Sequence, residues 1–172
     1  MSQPVFTIGH STRPIEDFIA LLKAHEIQLL VDVRTVPRSR HNPQFNRDVL
    51  PGSLRSANID YRHMPELGGL RHARKDSTNL GWRNLSFRGF ADYMETPEFE
   101  KGLADLIKEA RSRRTAIMCA EAVPWRCHRS LIADALVARG LEVFELSSLT
   151  RTQPHKMTPF AQLEGTKVHY PA

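Results

Sequence analysis

The segment MCAEAVPWRCHR, residues 118–129, carries both cysteines of the chain, Cys119 and Cys127, together with Glu121, Trp125, Arg126, His128 and Arg129. Each of these side chains can do chemistry. A thiolate is a nucleophile, and a carboxylate such as Glu121 can serve as general acid, base or nucleophile. Arg126 and Arg129 offer forked donors suited to phosphate or carboxylate. The run SLIADAL that follows reads as a helix, so Cys127, His128 and Arg129 are expected in its first turn. Free N–H groups and the helix dipole there favour an anion and a thiolate. Structural alternatives stand beside each role: a cysteine can be a small buried apolar residue, Glu121 an ion-pair partner of Arg126 or Arg34, and Trp125 a packing residue.

The elements that would position these groups follow from hydrophobic spacing. VFTIG (5–9) is a short strand. PIEDFIALLKAHE follows with Ile15, Phe18, Ile19 and Leu22 on one helical face, Thr12 being read as its cap and Pro14 fitting the first turn. LLVDVR (29–34) has the near-continuous apolar pattern of a strand buried on both faces. Strand, helix, strand in that order implies a parallel, right-handed unit. IDYRHMPELGGL (59–70) gives a third strand and a Gly-Gly turn. Residues 90–112 are helical with a break near Pro97, TAIMCA (115–120) is another buried strand, and 127–140 is a helix closed by Gly140. LEVFEL (141–146) is the last strand. The tail from 147 has a turn at Pro154, then a short helix and an extended end. The fold class expected is α/β: one domain over 1–172 with a mainly parallel open sheet flanked by helices, a Rossmann-like three-layer arrangement, and 147–172 packed on it as an extension.

In such sheets ligands bind beyond the carboxyl ends of the strands. Gly9, His10 and Ser11 follow the first strand. Asp32 and Arg34 end the second and lead to Pro37, Arg38 and Ser39. Glu66, Gly68 and Gly69 follow the third, and the 119–129 segment follows the fourth. The catalytic candidates are therefore Glu121, Cys127 and His10. The candidates for holding an anion are Ser11, Arg34, Ser39, Arg126, His128 and Arg129. His10 and the Asp32–Arg34 pair also have structural readings, as a hydrogen-bonded histidine and a buried ion pair.

Several chemistries are excluded by spacing. C-x7-C-H is not a usual zinc spacing and there is no second cysteine pair, so no metal is assigned. The phosphatase cradle needs an arginine six residues after its cysteine, but those places hold Trp125 and Ala133. The compact cradle of a rhodanese-like loop is missing too. There is no P-loop and no G-x-G-x-x-G, and no cofactor is implied.

Composition sets the partners. With 24 basic against 19 acidic residues the chain carries a net charge of +5, a balance that favours anionic partners, either a small molecule or nucleic acid. The loops 34–47 and 71–88 concentrate arginine, the second with Trp82, Phe87 and Phe90 interleaved, a pattern suited to phosphates and exposed bases as well as to a solvated rim. No leader and no apolar stretch of membrane length is read, so a soluble, cytoplasmic protein with reduced thiols and no membrane partner is expected.

TIGHS (7–11), DVR with P-R-S (32–39), ELGG (66–69), GFADYM (89–94), MCAE with CHR (118–129) and PHKMTPFA (154–161) together resemble, in order and nearly end to end, the bacterial and archaeal family called domain of unknown function 488. The resemblance implies an α/β fold. It brings no assigned activity, and the block residues come with it only as members of matching blocks. The functional expectation is an enzyme, a hydrolase or group-transfer catalyst, acting on an anionic substrate, most plausibly a nucleotide or nucleic acid. Two alternatives differ in kind: a nucleic-acid-binding module without chemistry, and a thiol redox or sulfur-transfer protein using Cys119 and Cys127.

Overall fold

Runs of apolar, β-branched and aromatic residues build the sheet. The computed structural model describes residues 3–172. Strands β1 (Val5–Gly9), β2 (Leu29–Asp32), β3 (Asp60–His63), β4 (Thr115–Cys119) and β5 (Val143–Leu146) run parallel, and β6 (Thr152–Pro154) adds an antiparallel edge, in the order β3-β2-β4-β1-β5-β6. The structure is thus the α/β architecture expected.

Side chains alternate across each strand, so each run feeds two cores. On one face Phe6, Ile8, Leu30 and Met118 pack against α1 (Ile15–Ala24) and α2 (Leu50–Arg55) through Phe18, Leu22, Leu50 and Leu54. On the other, Val5, Val31 and Ile117 meet α3 (Leu85–Tyr93), α4 (Pro97–Ser112) and α5 (Arg129–Ala138) through Phe90, Phe99, Leu103, Leu131 and Ile132. Because β1 is followed by a helix on one face and β4 by a helix on the other, the chain diverges between these neighbouring strands.

Local chemistry explains the element ends, and some differ from the sequence expectation. Pro14, not Thr12, occupies the cap position of α1, with no side-chain cap. The helix over 90–112 is two helices: Asn84 caps α3 through the Ser86 and Phe87 amides, and Thr96 caps α4 just before Pro97. Helix α2 lies in LPGSLR, too short for a hydrophobic period to announce. The tail forms no helix after Pro154; β7 (Gln162–Glu164) and β8 (Lys167–His169) make a hairpin turning at Gly165, whose φ of +65° suits glycine. No helix among the described residues is long and apolar enough to cross a membrane.

Candidate functional site

The site was expected beyond the carboxyl ends of the strands, but beyond β1 and β4 the space is filled by backbone. Pairing continues past both strands, with His10 N donating to Cys119 O (2.9 Å) and Ser11 N to Ala120 O (2.9 Å). A Cβ on Gly9 would lie 1.6 Å from the Glu121 carbonyl oxygen, so only glycine permits this approach. Ser11 carries the turn in the left-handed region, at φ +50°.

Behind that seam the candidate residues are largely committed to one another. His10 is 2% exposed and stacks on Phe45 at 4.2 Å. Its Nδ1 faces the Ser11 carbonyl at 2.8 Å and must carry the proton, which leaves Nε2 to accept from Arg34 Nη1 at 3.4 Å. Arg34 grips Asp32 with Nε (2.9 Å) and Nη2 (2.7 Å) and donates to the Phe45 carbonyl (2.6 Å). Ser39 organises its loop: its amide donates to Asn46 Oδ1 (2.6 Å) and its hydroxyl accepts from Asn42 N (3.0 Å).

The second cluster surrounds the start of α5. Cys127 is extended, His128 is the cap residue and Arg129 begins the helix, so the cysteine precedes the turn in which it was expected. Its own atoms occupy the helix N-terminus: Arg129 N donates to Cys127 Sγ (3.4 Å) and Ser130 N to Cys127 O (3.1 Å). His128 donates Nε2–H to the carbonyls of Val33 (2.8 Å) and Leu67 (3.1 Å), leaving a lone pair on Nδ1, 3.5 Å from Cys127 Sγ. Gly69 is needed beside it, because a Cβ there would lie 2.5 Å from that nitrogen. The Pro124–Arg126 turn folds the loop back and brings the Cys119 and Cys127 sulfurs into contact, with their Cα atoms 7.1 Å apart.

Arg129 is fully buried and all of its donors are taken. Nε and Nη2 bond Glu145, Nη2 also bonds the Ala122 carbonyl, and Nη1 bonds Cys119 Sγ (2.7 Å) and the Glu121 carbonyl (2.7 Å). A guanidinium has five N–H groups, and five acceptors meet them. No donor remains for a phosphate, which corrects the anion-holding role read from the sequence. Arg126 and the Glu121 side chain are exposed, and neither makes an ion pair among the described residues.

Burial pushes both imidazoles down, from 6.5 to about 4 for His10 and for His128. The folded protein therefore keeps them neutral while the unfolded chain protonates them. Between pH 6.5 and 4 the unfolded state binds more protons, so stability falls as pH falls through that window. Each histidine is expected to remove on the order of 2 kcal/mol between pH 7 and pH 5. Urea unfolding at the two pH values measures this, and His128→Gln should flatten the dependence.

Concavity appears beside Arg129. A cavity of about 370 Å³ opens between the start of α5, the face of β1 and β5, and residues 153–160. Its walls include Trp82, Trp125 and Phe160, and its floor is Thr7, Arg129 and Glu145, with Lys156 also lining it. Trp82 meets Phe160 edge-on at 4.9 Å, and its buried indole N–H has no partner among the described residues. Glu145 Oε1 receives Thr7 Oγ1 (3.1 Å), Arg129 Nε (3.2 Å) and Arg129 Nη2 (2.8 Å), and its Oε2 receives Thr7 Oγ1 (3.2 Å) and Arg129 Nη2 (3.1 Å), so both oxygens are held. Burial pushes the Glu145 carboxyl up, against the opposing pull of Arg129.

The long loop 71–88 is less free than its composition implies. Buried Asp92 accepts from Ser77 Oγ (2.6 Å), Asn79 Nδ2 (2.8 Å) and Arg74 N (2.8 Å). Arg71 lies over the Tyr93 ring, Phe90 is in the core, and Trp82 turns into the cavity wall. Exposed arginines with no ion pair among the described residues are Arg38, Arg40 and Arg47 in the first basic loop and Arg83 in the second.

The model of the family described as Domain of unknown function DUF488 matches residues 14–136. This chain belongs to that family. The match runs from the start of α1 into α5 and so takes in Trp82, Trp125 and Arg129, while Thr7, Glu145 and the 153–160 wall lie outside it. No curated protein and no solved structure gives a significant match to this DUF488 chain.

Proposed function

We propose that this DUF488 protein is an enzyme of the hydrolase or group-transfer type, and that its substrate is a nucleotide-like small molecule bound in the cavity beside Arg129. One observation carries the reading: three aromatic rings, a buried carboxylate and a lysine line a single cavity of about 370 Å³, within the size range of ligand sites. Rings stack on planar bases. The Glu145 carboxylate suits a base N–H or a ribose hydroxyl, and Lys156 suits a phosphate. A carboxyl raised by burial is also equipped to carry a proton, so the acid–base role moves from Glu121 and His10 to Glu145. Arg129 is a positioning residue that holds Glu145 rather than the anion.

The chain's only two tryptophans both line this cavity, so intrinsic fluorescence reports its occupancy. Titration with nucleoside monophosphates should change the emission saturably. Trp125→Ala should weaken binding roughly five- to 150-fold, corresponding to the roughly 1–3 kcal/mol of a base–aromatic stack. Unchanged emission across the four common nucleotides would remove the nucleotide reading.

A second reading has its own observation, the three unpaired arginines of the 38–47 loop. A nucleic-acid-binding module would show affinity falling steeply with salt and no competition by mononucleotides.

A further inference from the structure

Cys119 and Cys127 are eight residues apart, with Cα atoms 7.1 Å apart and sulfurs in contact. They sit on opposite sides of a chain reversal, one at the end of β4 and one just before α5. Both sulfurs face donors. Arg129 Nη1 lies 2.7 Å from Cys119 Sγ, and the Arg129 backbone N–H points at Cys127 Sγ (3.4 Å). A guanidinium on one sulfur and a helix N-terminal amide on the other both stabilise negative charge on sulfur. A purely structural cystine needs neither. The two cysteines close a loop of few residues, which constrains the unfolded chain little compared with a long-range link.

We infer that Cys119 and Cys127 form a reversible dithiol–disulfide couple that exchanges with low-molecular-weight thiols, Arg129 holding Cys119 as the leaving thiolate. The thiolate of an external thiol attacks Cys127 Sγ; of the two buried cysteines Cys127 is the more accessible, 5% exposed against 2% for Cys119, and its loop carries exposed Trp125 and Arg126. The Cys119–Cys127 bond breaks, and its electron pair leaves on Cys119 as a thiolate facing Arg129. A second external thiolate attacks the outer sulfur of the mixed disulfide, releasing the external disulfide and the Cys127 thiolate. Two protons, one lost by each external thiol, pass through solvent to the protein sulfurs. Overall two external thiols are oxidised to one disulfide and the protein disulfide is reduced to two thiols; the reverse reaction uses the external disulfide as oxidant. The function is independent of any ligand in the neighbouring cavity.

The test equilibrates the native full-length chain in buffers of reduced and oxidised glutathione at graded ratios. After an acid quench and alkylation, intact mass is read. Two masses are expected, with none or two alkyl groups, exchanging in a single transition as the ratio changes. Two alkyl groups at every ratio, or none until the protein is unfolded, would overturn the inference. The single variants test the direction: with oxidised glutathione, Cys119→Ser should gain one glutathione on Cys127, and Cys127→Ser should gain none. The opposite pattern would overturn the assignment of Cys127 as the attacked sulfur. Because the readout is protein mass, failure here leaves the nucleotide reading untouched, and failure of nucleotide binding leaves this one untouched.

Discussion

Arg129→Ala is expected to destabilise this protein by about 3–5 kcal/mol, the cost of leaving a buried charge without its partner. The mutation removes every donor that holds Glu145 except Thr7, and it strips the carbonyls of Glu121 and Ala122 as well. For a chain of this length that is a fall in melting temperature of roughly 6–20 °C. Arg129→Lys should recover only part, since an ammonium has three donors and no planar fork to span carboxylate, sulfur and carbonyls. The double variant Arg129→Met/Glu145→Gln should be more stable than Arg129→Ala, because it removes both charges rather than one. Thermal unfolding of the four proteins measures this. A loss below about 1 kcal/mol for Arg129→Ala would mean that the guanidinium is not buried in an ion pair.

The second large effect is expected at Asp134, a fully buried carboxylate in the middle of α5. It fastens the tail by accepting from His155 Nε2 (2.7 Å), Thr158 N (3.1 Å) and Tyr170 Oη (2.7 Å). Asp134→Ala leaves buried donors without an acceptor, each costing about 1–3 kcal/mol. A net loss of about 3 kcal/mol is expected, with the tail affected first. Hydrogen exchange should show residues 155–170 losing protection while β1, β2 and β4 keep theirs. Since His155, Thr158 and Phe160 line the cavity, ligand affinity should fall with the tail's protection. Asp134→Asn keeps one carbonyl acceptor and should fall between. Uniform loss of protection across the whole chain would show instead that the tail and the sheet unfold as one unit.

Much of the scaffold was legible because strands buried on both faces read as continuous apolar runs. VFTIG, LLVD and TAIMC could be little else, and the alternation with helical periods implied parallel pairing. The candidate site was less legible, for three physical reasons. A charged residue inside an apolar period reads as a solvated position, so Asp134 in SLIADAL and Glu145 in LEVFEL carried no signal until their partners were in view. Trp82 and Phe160 meet only through tertiary packing, although PHKMTPFA did single out the tail. The rule that ligands bind beyond strand ends pointed to the carboxyl ends of four strands, but past β1 and β4 Gly9 lets backbone fill the space, and the opening lies to one side. Arg129 was found by its neighbours' chemistry, but saturation of its donors is a property of geometry alone.

The central claim is that the cavity beside Arg129, rather than the basic 38–47 loop, receives the ligand. Amide NMR tests it most directly, because the chain has only two indole N–H groups and both tryptophans line the cavity. On addition of a nucleoside monophosphate, both indole resonances should move saturably, together with the amides of Arg129, Ser130 and the 155–160 segment. Shifts confined to Arg38, Arg40 and Arg47, with the indole resonances unmoved, would contradict it.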